Sequence, residues 1–380
     1  MDLLDVAVVG GGPVGSALAA WLAGRGLRIG VFEARATPSS DARTLALSWS
    51  TRESLERVSA WPATSTDITS IHVSQRAGPG RTVIAARDAG LPALGSTVRF
   101  SDLEAALHAA LARDGIAVHR GAACDGIFLE PDSACIRFAG RPEARARLLV
   151  LADGGANASR IPGIAFREKD YGQVAVVGLL GVDRPHGGRA YERFTTEGPM
   201  ALLPAGERMA LVWTAAPVEA QRLLALEPRE FLEALQARFG DRAGRFHSIE
   251  SRATFPLRLR SVNTPVALRT AIIGNAAQAL HPIAGQGLNL GLRDAAQLAE
   301  AIAASPAESI GGQGMLEAYR RDRQRDTGRG IAFTDLLVST FASRSSLVTL
   351  GRGAALAALD LVPPARRLLA RRMMDGARAR

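Results

Sequence analysis

The sequence predicts an α/β protein that combines a Rossmann-like domain, an antiparallel-sheet domain and a C-terminal helical region, and three observations support this. A strand, a glycine-rich turn and a helix follow one another at the N-terminus. The same succession recurs near residue 274. Between residues 173 and 214, strand-like runs are separated by glycine and proline, which is typical of an antiparallel sheet.

The N-terminal unit carries a dinucleotide fingerprint. The apolar run 5–9 leads directly into Gly10, Gly12 and Gly15, spaced as G-x-G-x-x-G, and apolar residues at helical spacing follow. In such a unit the glycines permit the tight turn, the approach of a pyrophosphate and the packing of helix on strand. A second strand ends at Glu33, where a carboxylate can accept hydrogen bonds from an adenosine ribose. An acid here indicates a free 2′-hydroxyl, as in FAD or NAD.

The second unit has the sequence GNAAQALHPIAGQGLNLGLRD, residues 274–294. Pro282 and Gly285 should stop the preceding strand from continuing into a helix, so a loop is predicted before Gly287. From Leu288 onward, apolar residues recur at helical spacing. Four polar residues lie off that face: Arg293, Asp294, Gln297 and Glu300. The free N–H groups of this helix N-terminus suit an anion or an electron-rich ring edge. FAD is preferred to NAD because the chain has one dinucleotide fingerprint and this separate loop, which resembles a flavin-binding one.

This segment resembles the second flavin fingerprint of the para-hydroxybenzoate hydroxylase family of FAD monooxygenases, usually G-D followed by P-x-x-G-x-G-x-N. Asn275 stands where that family usually has Asp, and its amide can still hydrogen-bond a ribityl hydroxyl. The amino-acid sequence of this segment is most similar to the ubiquinone-biosynthesis branch of the family. The resemblance implies that FAD is bound by Asn275, Pro282, Gly285, Gln286, Gly287, Leu288 and Asn289.

Two further segments extend the resemblance. Residues 41–48 resemble a ubiquinone-hydroxylase segment whose arginine, here Arg43, would reach the cofactor or the mouth of its site. A solvated arginine before a helix is the alternative. Residues 152–160 resemble the Asp-Gly motif of the family, which implies that Asp153 contacts the flavin. Asn157 occupies the usual serine position of this motif.

The predicted antiparallel sheet contains a third matching segment. Residues 188–204 are similar to a stretch of the same branch in which the sheet covers the flavin ring and walls the substrate pocket. Arg193 and Phe194 are the candidate pocket residues, although an arginine in such a strand is more often on the solvated face. The sequence alone does not fix which side chains face inward.

The domain boundaries follow from these segments. The predicted FAD-binding domain comprises 1–69, 99–170 and 263–318, the substrate domain comprises 70–98 and 171–262, and the C-terminal helical region is 319–380. Within the second FAD-binding stretch, Ser101 and Glu104 have the spacing of a capping box that begins a helix through Leu103.

Composition argues against several function classes. The pI is near 10.8, but Lys169 is the only lysine and aromatic residues are 5%, so nucleic-acid binding is not predicted. The six histidines show no metal-ligand spacing and no Ser-His-Asp set is apparent, so neither a metal site nor a catalytic side chain is assigned. Cys124 and Cys135 form no C-x-x-C, which indicates a reducing compartment. The first strand begins close to Met1, leaving no room for a signal peptide, so a cytoplasmic location is expected.

Amino-acid side chains are poor reagents for inserting oxygen into an aromatic ring, so a cofactor must carry that step. The resemblance implies hydroxylation of 2-polyprenyl-6-methoxyphenol to the 1,4-benzenediol in ubiquinone biosynthesis, through a C4a-hydroperoxide of FAD. It also implies O2, NADPH or NADH as transient reductant, and association with other ubiquinone-biosynthesis proteins. Three alternatives stay open: a hydroxylase of a soluble phenol, a non-catalytic prenyl-binding escort on the same fold, and an NAD-dependent dehydrogenase.

After Tyr319 the sequence becomes rich in arginine. One interpretation is a docking helix followed by a basic end. The other is an interfacial segment that binds the cytoplasmic face of a membrane. It would place Val362, Leu368, Leu369 and Met373 against lipid and Arg366, Arg367, Arg371 and Arg372 against anionic headgroups.

Overall fold

The structure is a computed structural model that describes residues 3–41, 43–76, 80–279 and 286–324, together with positions 353 and 367. The helices are α1 Pro13–Leu22, α2 Trp49–Glu56, α3 Ala86–Ala89, α4 Phe100–Arg113, α5 Pro217–Ala225, α6 Pro228–Phe239 and α7 Gln286–Ala303, and residues 313–324 are also helical. The strands are β1 Leu4–Val9, β2 Ile29–Glu33, β3 Thr44–Ser48, β4 Thr66–Ile68, β5 Ser70–Gln75, β6 Arg81–Ala85, β7 Gly95–Arg99, β8 Val118–Arg120, β9 Cys124–Leu129, β10 Ala134–Phe138, β11 Arg141–Leu151, β12 Phe166–Val182, β13 Arg189–Thr195, β14 Gly198–Ala205, β15 Arg208–Ala215, β16 Phe246–Val262, β17 Val266–Ala267, β18 Thr270–Ile272 and β19 Gln278–Ala279.

The first sheet is parallel at its centre, with the strand order β8-β2-β1-β11-β18. Antiparallel β17 extends it beyond β18, and antiparallel β10 and β9 join it at β11. Val6 and Val8 pack with α1 and α7 on one face, whereas Ala7 and Val9 pack with β10 and β11 on the other. Burial on both faces explains the continuous apolar run of β1. The predicted α/β class, with a Rossmann-like sheet, is confirmed.

The second sheet has the order β19-β16-β12-β15-β14-β13-β5-β6, antiparallel throughout except for the parallel pair β13 and β5. Helices α5 and α6 cover one face, so the residues of β14 alternate between buried and half-buried. The other face adjoins the parallel-sheet domain, because the guanidinium of Arg43 lies 4.6 Å from the ring of Phe255 in β16.

The predicted domain stretch 70–98 is distributed between two sheets. Strands β5 and β6 belong to the large antiparallel sheet, whereas β7 pairs with β3 and β4 in a three-stranded sheet. The domain boundaries themselves stay predictions. The predicted region 319–380 is described only as far as residue 324 and at positions 353 and 367. None of the helices in the described residues combines the length and the apolar character that crossing a bilayer requires.

The capping box predicted at Ser101 is wrong. Helix α4 has its N-cap at Arg99, and no side chain caps it. Glu104 is buried and accepts a hydrogen bond from the backbone N–H of Ser39 at 2.8 Å, and it also pairs with Arg35. The side chain that has the spacing of a cap therefore ties α4 to the loop after β2.

A buried ion pair joins α7 to the helical residues 313–324. The carboxylate of Asp294, which is 1% exposed, contacts the buried guanidinium of Arg323. It also accepts hydrogen bonds from the backbone N–H of Gly274 at 2.8 Å and the side-chain amide of Gln278 at 2.5 Å. Burial raises the pKa of this carboxyl, and these partners oppose the rise. Asp294 therefore lies off the apolar face of α7 and is nevertheless buried, because a later helix supplies its counter-charge.

Replacing Arg323 with Met should lower the free energy of unfolding by about 3–5 kcal/mol, because Asp294 would keep a buried charge without its cation. Arg320, one turn away, pairs with Glu317 where solvent has access, so Arg320→Met is the control and should cost less than about 1 kcal/mol. Urea unfolding followed by circular dichroism measures both. Equal losses in the two variants would contradict a special role for the buried pair.

Candidate functional site

The turn between β1 and α1 requires glycine at two of its three fingerprint positions. Gly10 has a φ of +111°, and a Cβ there would lie 2.5 Å from the carbonyl carbon of Ala152. A Cβ on Gly15 would lie 2.1 Å from the carbonyl oxygen of Gly10. A Cβ on Gly12, in contrast, would meet no described atom within 4 Å. Gly12 is the N-cap of α1, so its open side lies beside the free N–H groups of the first helical turn.

The second glycine-rich turn meets the first at the N-terminal end of α1. Gly274 begins a short 3-10 turn after β18, and a Cβ there would lie 3.1 Å from the side chain of Val14. A Cβ on Gly291 of α7 would lie 2.9 Å from the Cα of Gly274. Gly287 lies one turn earlier in α7, and a Cβ added there would have no described atom within 4 Å. The N-terminal ends of α1 and α7 therefore converge, and the described residues leave space beside one glycine in each.

Glu33 lies at the end of β2 beside the first turn and is 6% exposed. One carboxylate oxygen accepts a hydrogen bond from the N–H of Gly11 at 2.9 Å, and the other accepts from the backbone and side chain of Arg35, each at 2.9 Å. Burial acts to raise the pKa of this carboxyl, but the hydrogen bonds from Arg35 and Gly11 outweigh it, so the pKa is lowered. The oxygen that accepts from Gly11 keeps a second lone pair for a ribose hydroxyl, and that contact stays a prediction.

Asp153 closes the turn after β11, directly behind Gly10. Its oxygens accept hydrogen bonds from the backbone N–H of Gly155 at 2.9 Å and of Asn157 at 3.0 Å, and from the Asn157 amide at 2.7 Å. Asn157, at the usual serine position, therefore supports this turn. The predicted contact of Asp153 with flavin stays a prediction.

Three predicted residues of the 274–289 segment differ in their surroundings. Asn289 is buried, and its side chain accepts a hydrogen bond from the N–H of Ser48 at 2.8 Å and donates one to the carbonyl of Ala46 at 2.9 Å. It thereby joins α7 to β3. Leu288 is half-buried against an apolar cluster, and Asn275 is exposed at the second turn.

Arg43 is exposed and pairs with Asp41 in front of β3, not in front of a helix. Its guanidinium also lies 5.9 Å from the ring of Phe100, so it stands between the two sheets. Its predicted contact with the cofactor remains untested. Three predicted groups lie outside the described residues: Pro282, Gly285 and the side chain of Gln286.

The two predicted pocket residues lie on opposite faces of β13. Tyr191 packs against Phe239 of α6, with ring centroids 5.9 Å apart, so Tyr191 and Arg193 share the face that the helices cover. Burial, followed by repulsion from nearby arginines, lowers the pKa of the Arg193 guanidinium. Phe194 points to the face that adjoins the parallel-sheet domain. Of the two, Phe194 has the orientation that a pocket residue needs.

Glu192 shares the face of Phe194, and sequence reasoning missed it. In the sheet register it lies opposite Ala201 of β14 and Val73 of β5. It is half-buried, and burial raises the pKa of its carboxyl to about 8. Across the described chain, no residue forms a hydrogen bond or ion pair with this carboxyl. The two-residue period of a strand could have predicted that Glu192 lies on this face. It could not have predicted that no described residue pairs with the carboxyl.

Comparison with known proteins places this geometry in a family. Residues 3–333 match the model of the family described as FAD binding domain. The chain belongs to this family. It is 34% identical over 383 residues to the ubiquinone hydroxylase UbiL of Rhodospirillum rubrum, covering 97% of this chain and 89% of the relative. It is 28% identical over 362 residues to the 3-demethoxyubiquinol 3-hydroxylase of Escherichia coli, covering 89% and 90%.

The fold is similar to that of p-nitrophenol 4-monooxygenase from Pseudomonas putida, with a TM-score of 0.79, 18% identity and 100% of both chains covered. Family membership confirms the predicted FAD-dependent monooxygenase and its FAD cofactor. The residues present fit FAD, because the glycines that face open space are those a dinucleotide and a ring edge would approach. The described residues contain no group of three or more His, Cys, Asp or Glu arranged to hold a metal ion.

Gly12→Val and Gly287→Val should each weaken FAD binding at least about tenfold, which is about 1.4 kcal/mol, because the new side chains enter space that FAD would fill. Both variants should fold, since the described residues leave that space empty. Gly314→Val is the matched control: its Cβ also meets no described atom, far along the chain. Flavin absorbance per protein measures FAD content, and circular dichroism measures folding. Full flavin content in both variants would refute the assignment.

Proposed function

We propose that this protein uses FAD to hydroxylate 2-polyprenyl-6-methoxyphenol to the 1,4-benzenediol of ubiquinone biosynthesis. The observation that carries the proposal is the convergence of two open glycine turns, at Gly12 and Gly287, in a domain that adjoins the apolar face of the antiparallel sheet. Such an arrangement can hold a flavin on one wall and a phenol ring on the other. Bound reduced FAD would supply the activation of O2 that no side chain provides.

The residues of the chain bind, orient and exclude water. The N-terminal N–H groups of α1 and α7 would hold the phosphates and the ring edge of the cofactor. The half-buried side of the antiparallel sheet would hold the phenol ring and the start of its prenyl tail in a fixed orientation. Exclusion of water from this space protects the activated oxygen from unproductive decay.

The relatives support ring hydroxylation in the ubiquinone pathway. One is named as a ubiquinone hydroxylase and the other as a 3-hydroxylase of demethoxyubiquinol, so their names do not share one ring position. The 4-position of the methoxyphenol is our proposal, and it rests on the resemblance of residues 188–204 and 274–294 to that branch. NADPH or NADH as transient reductant, and a complex with other ubiquinone-biosynthesis proteins, belong to the same proposal.

In a strain that lacks the gene, quinone extraction should show 2-polyprenyl-6-methoxyphenol accumulating and ubiquinone lost, because the hydroxylation step is missing. The purified protein should be yellow and show oxidised-flavin absorbance. Normal ubiquinone in the deletion strain would favour the hydroxylase of a soluble phenol. Colourless protein that takes up no FAD would favour the prenyl-binding escort or the NAD-dependent dehydrogenase.

The arginine-rich C-terminus is proposed to hold the protein on an anionic membrane surface, where a polyprenyl substrate resides. Apart from Arg367, these residues lie outside the described part of the structure. Replacing Arg366, Arg367, Arg371 and Arg372 together with Gln should weaken binding to anionic vesicles, since each arginine near the surface contributes about 1 kcal/mol. Co-sedimentation with anionic vesicles measures this, and neutral vesicles are the control. Equal partitioning of the variant and the parent protein would contradict membrane binding by this segment.

A further inference from the structure

One carboxyl lies on the face of the antiparallel sheet that adjoins the FAD-binding domain. The register across five strands forms a single row: Glu192 in β13, Ala201 in β14, Val212 in β15, Val177 in β12 and Ala253 in β16. All five residues are half-buried, whereas Met200 and Trp213 on the opposite face are buried beneath the helices. Glu192 is the one polar member of this row.

Glu192 is partly exposed in the described structure, yet burial raises the pKa of its carboxyl to about 8. A titratable group that is both partly exposed and strongly desolvated is a candidate for contact with a ligand. A deep carboxyl with no hydrogen-bond or ion-pair partner in the described residues is available to a ligand.

The described surroundings of Glu192 provide no compensating charge. On the neighbouring strands, the side chains that share its face are Ile71, Val73, Pro199, Ala201 and Leu203. Two arginines of the FAD-binding side adjoin this face, and both are paired: Arg43 with Asp41, and Arg52 of α2 with Glu56 and Asp67. Burial is therefore the sole cause of the raised pKa of Glu192.

We propose that Glu192 is the base that accepts a hydrogen bond from the phenolic hydroxyl of the substrate and takes its proton. This inference rests on the proposed function. The proton passes from the phenol oxygen to a carboxylate oxygen, and the resulting phenolate donates electron density to the ring carbon that is hydroxylated. O2 and the reduced cofactor supply the inserted oxygen atom and the two electrons that reduce the other atom to water. The ring proton leaves with that water, and Glu192 returns its proton to the phenolate oxygen of the product.

The acidity of the two groups decides whether such a transfer is feasible. A phenol has a pKa of about 10, about six units above an ordinary glutamate, so an exposed carboxylate would hold the proton in only about one molecule in a million. With Glu192 at about 8, the difference is about two units. Catalytic bases are effective when their pKa approaches that of the proton donor and the working pH.

Glu192→Gln tests the assignment, because an amide oxygen still accepts the hydrogen bond but takes no proton. We expect unchanged FAD content, a Kd for a short-chain 2-prenyl-6-methoxyphenol within a few-fold of the parent protein, and kcat/KM lowered by about 100-fold. The parent kcat/KM should rise with pH towards about 8, as Glu192 loses its proton, and the variant should lack this rise. Glu250→Gln removes an exposed carboxylate paired with Arg208 and should behave as the parent protein does.

A second readout needs no substrate. Because the folded pKa of Glu192 lies above its unfolded value of about 4.5, the folded protein binds the extra proton between these pH values. Stability from this group is present below pH 4.5 and is lost as pH rises through about 8. Urea unfolding should therefore show the parent protein losing stability relative to Glu192→Gln between pH 5 and pH 8. A constant difference would overturn the assignment.

The outcomes separate the two proposals. A parent protein that neither binds nor hydroxylates the phenol overturns the proposed function and the role of Glu192 with it. A parent protein that hydroxylates the phenol, with Glu192→Gln matching its kcat/KM and pH profile, overturns the role of Glu192 alone. Glu192→Asp keeps an ionisable carboxyl and should retain the pH-dependent rise, so its loss in that variant would also overturn the role.

Discussion

The close approach of α1 and α7 is the contact on which the cofactor site depends. Gly274 and Gly291 meet where an added Cβ would lie 2.9 Å from backbone, and Val14 fills the remaining space. Two helix N-termini, each with a partial positive charge and free N–H groups, are thereby held next to one another. These like partial charges repel one another, and an anion bound between them would offset the repulsion. Binding of a dinucleotide and stability of the domain are therefore coupled, since a ligand that binds only the folded state stabilises it.

The buried pair of Asp294 and Arg323 extends this coupling towards the C-terminus. The carboxylate of Asp294 accepts a hydrogen bond from the N–H of Gly274 at 2.8 Å and so stabilises the second turn. Arg323, in a later helix, supplies the counter-charge of that carboxylate. Residues 313–324 therefore support the second glycine-rich turn and are not merely appended to the domain. Burying both charges is costly, and the hydrogen bonds from Gly274 and Gln278 offset part of that cost.

The features that the sequence predicts best are those whose chemistry is local. The turn at Gly10 and the acid at Glu33 belong to one strand-turn-helix-strand unit, so spacing alone brings them together. The burial of Asp294 depends on Arg323. Arg323 lies in a later helix, so the apolar periodicity of α7 could not predict this pair. Which of Arg193 and Phe194 faces the cofactor depends on strand register, because one position moves a side chain to the other face of the sheet.

Three carboxylates, those of Glu33, Asp294 and Glu192, differ in whether the described protein supplies a partner. Glu33 has donors from Gly11 and Arg35, and Asp294 has Arg323 and two hydrogen bonds, so the protein itself satisfies their charge. Glu192 is desolvated by burial, and none of the described residues donates a hydrogen bond to it. Folding gains nothing from an acid that must stay neutral on an apolar sheet face, where a valine or alanine would pack as in the rest of its row. The position is explained when the missing partner is a hydroxyl that arrives with the substrate.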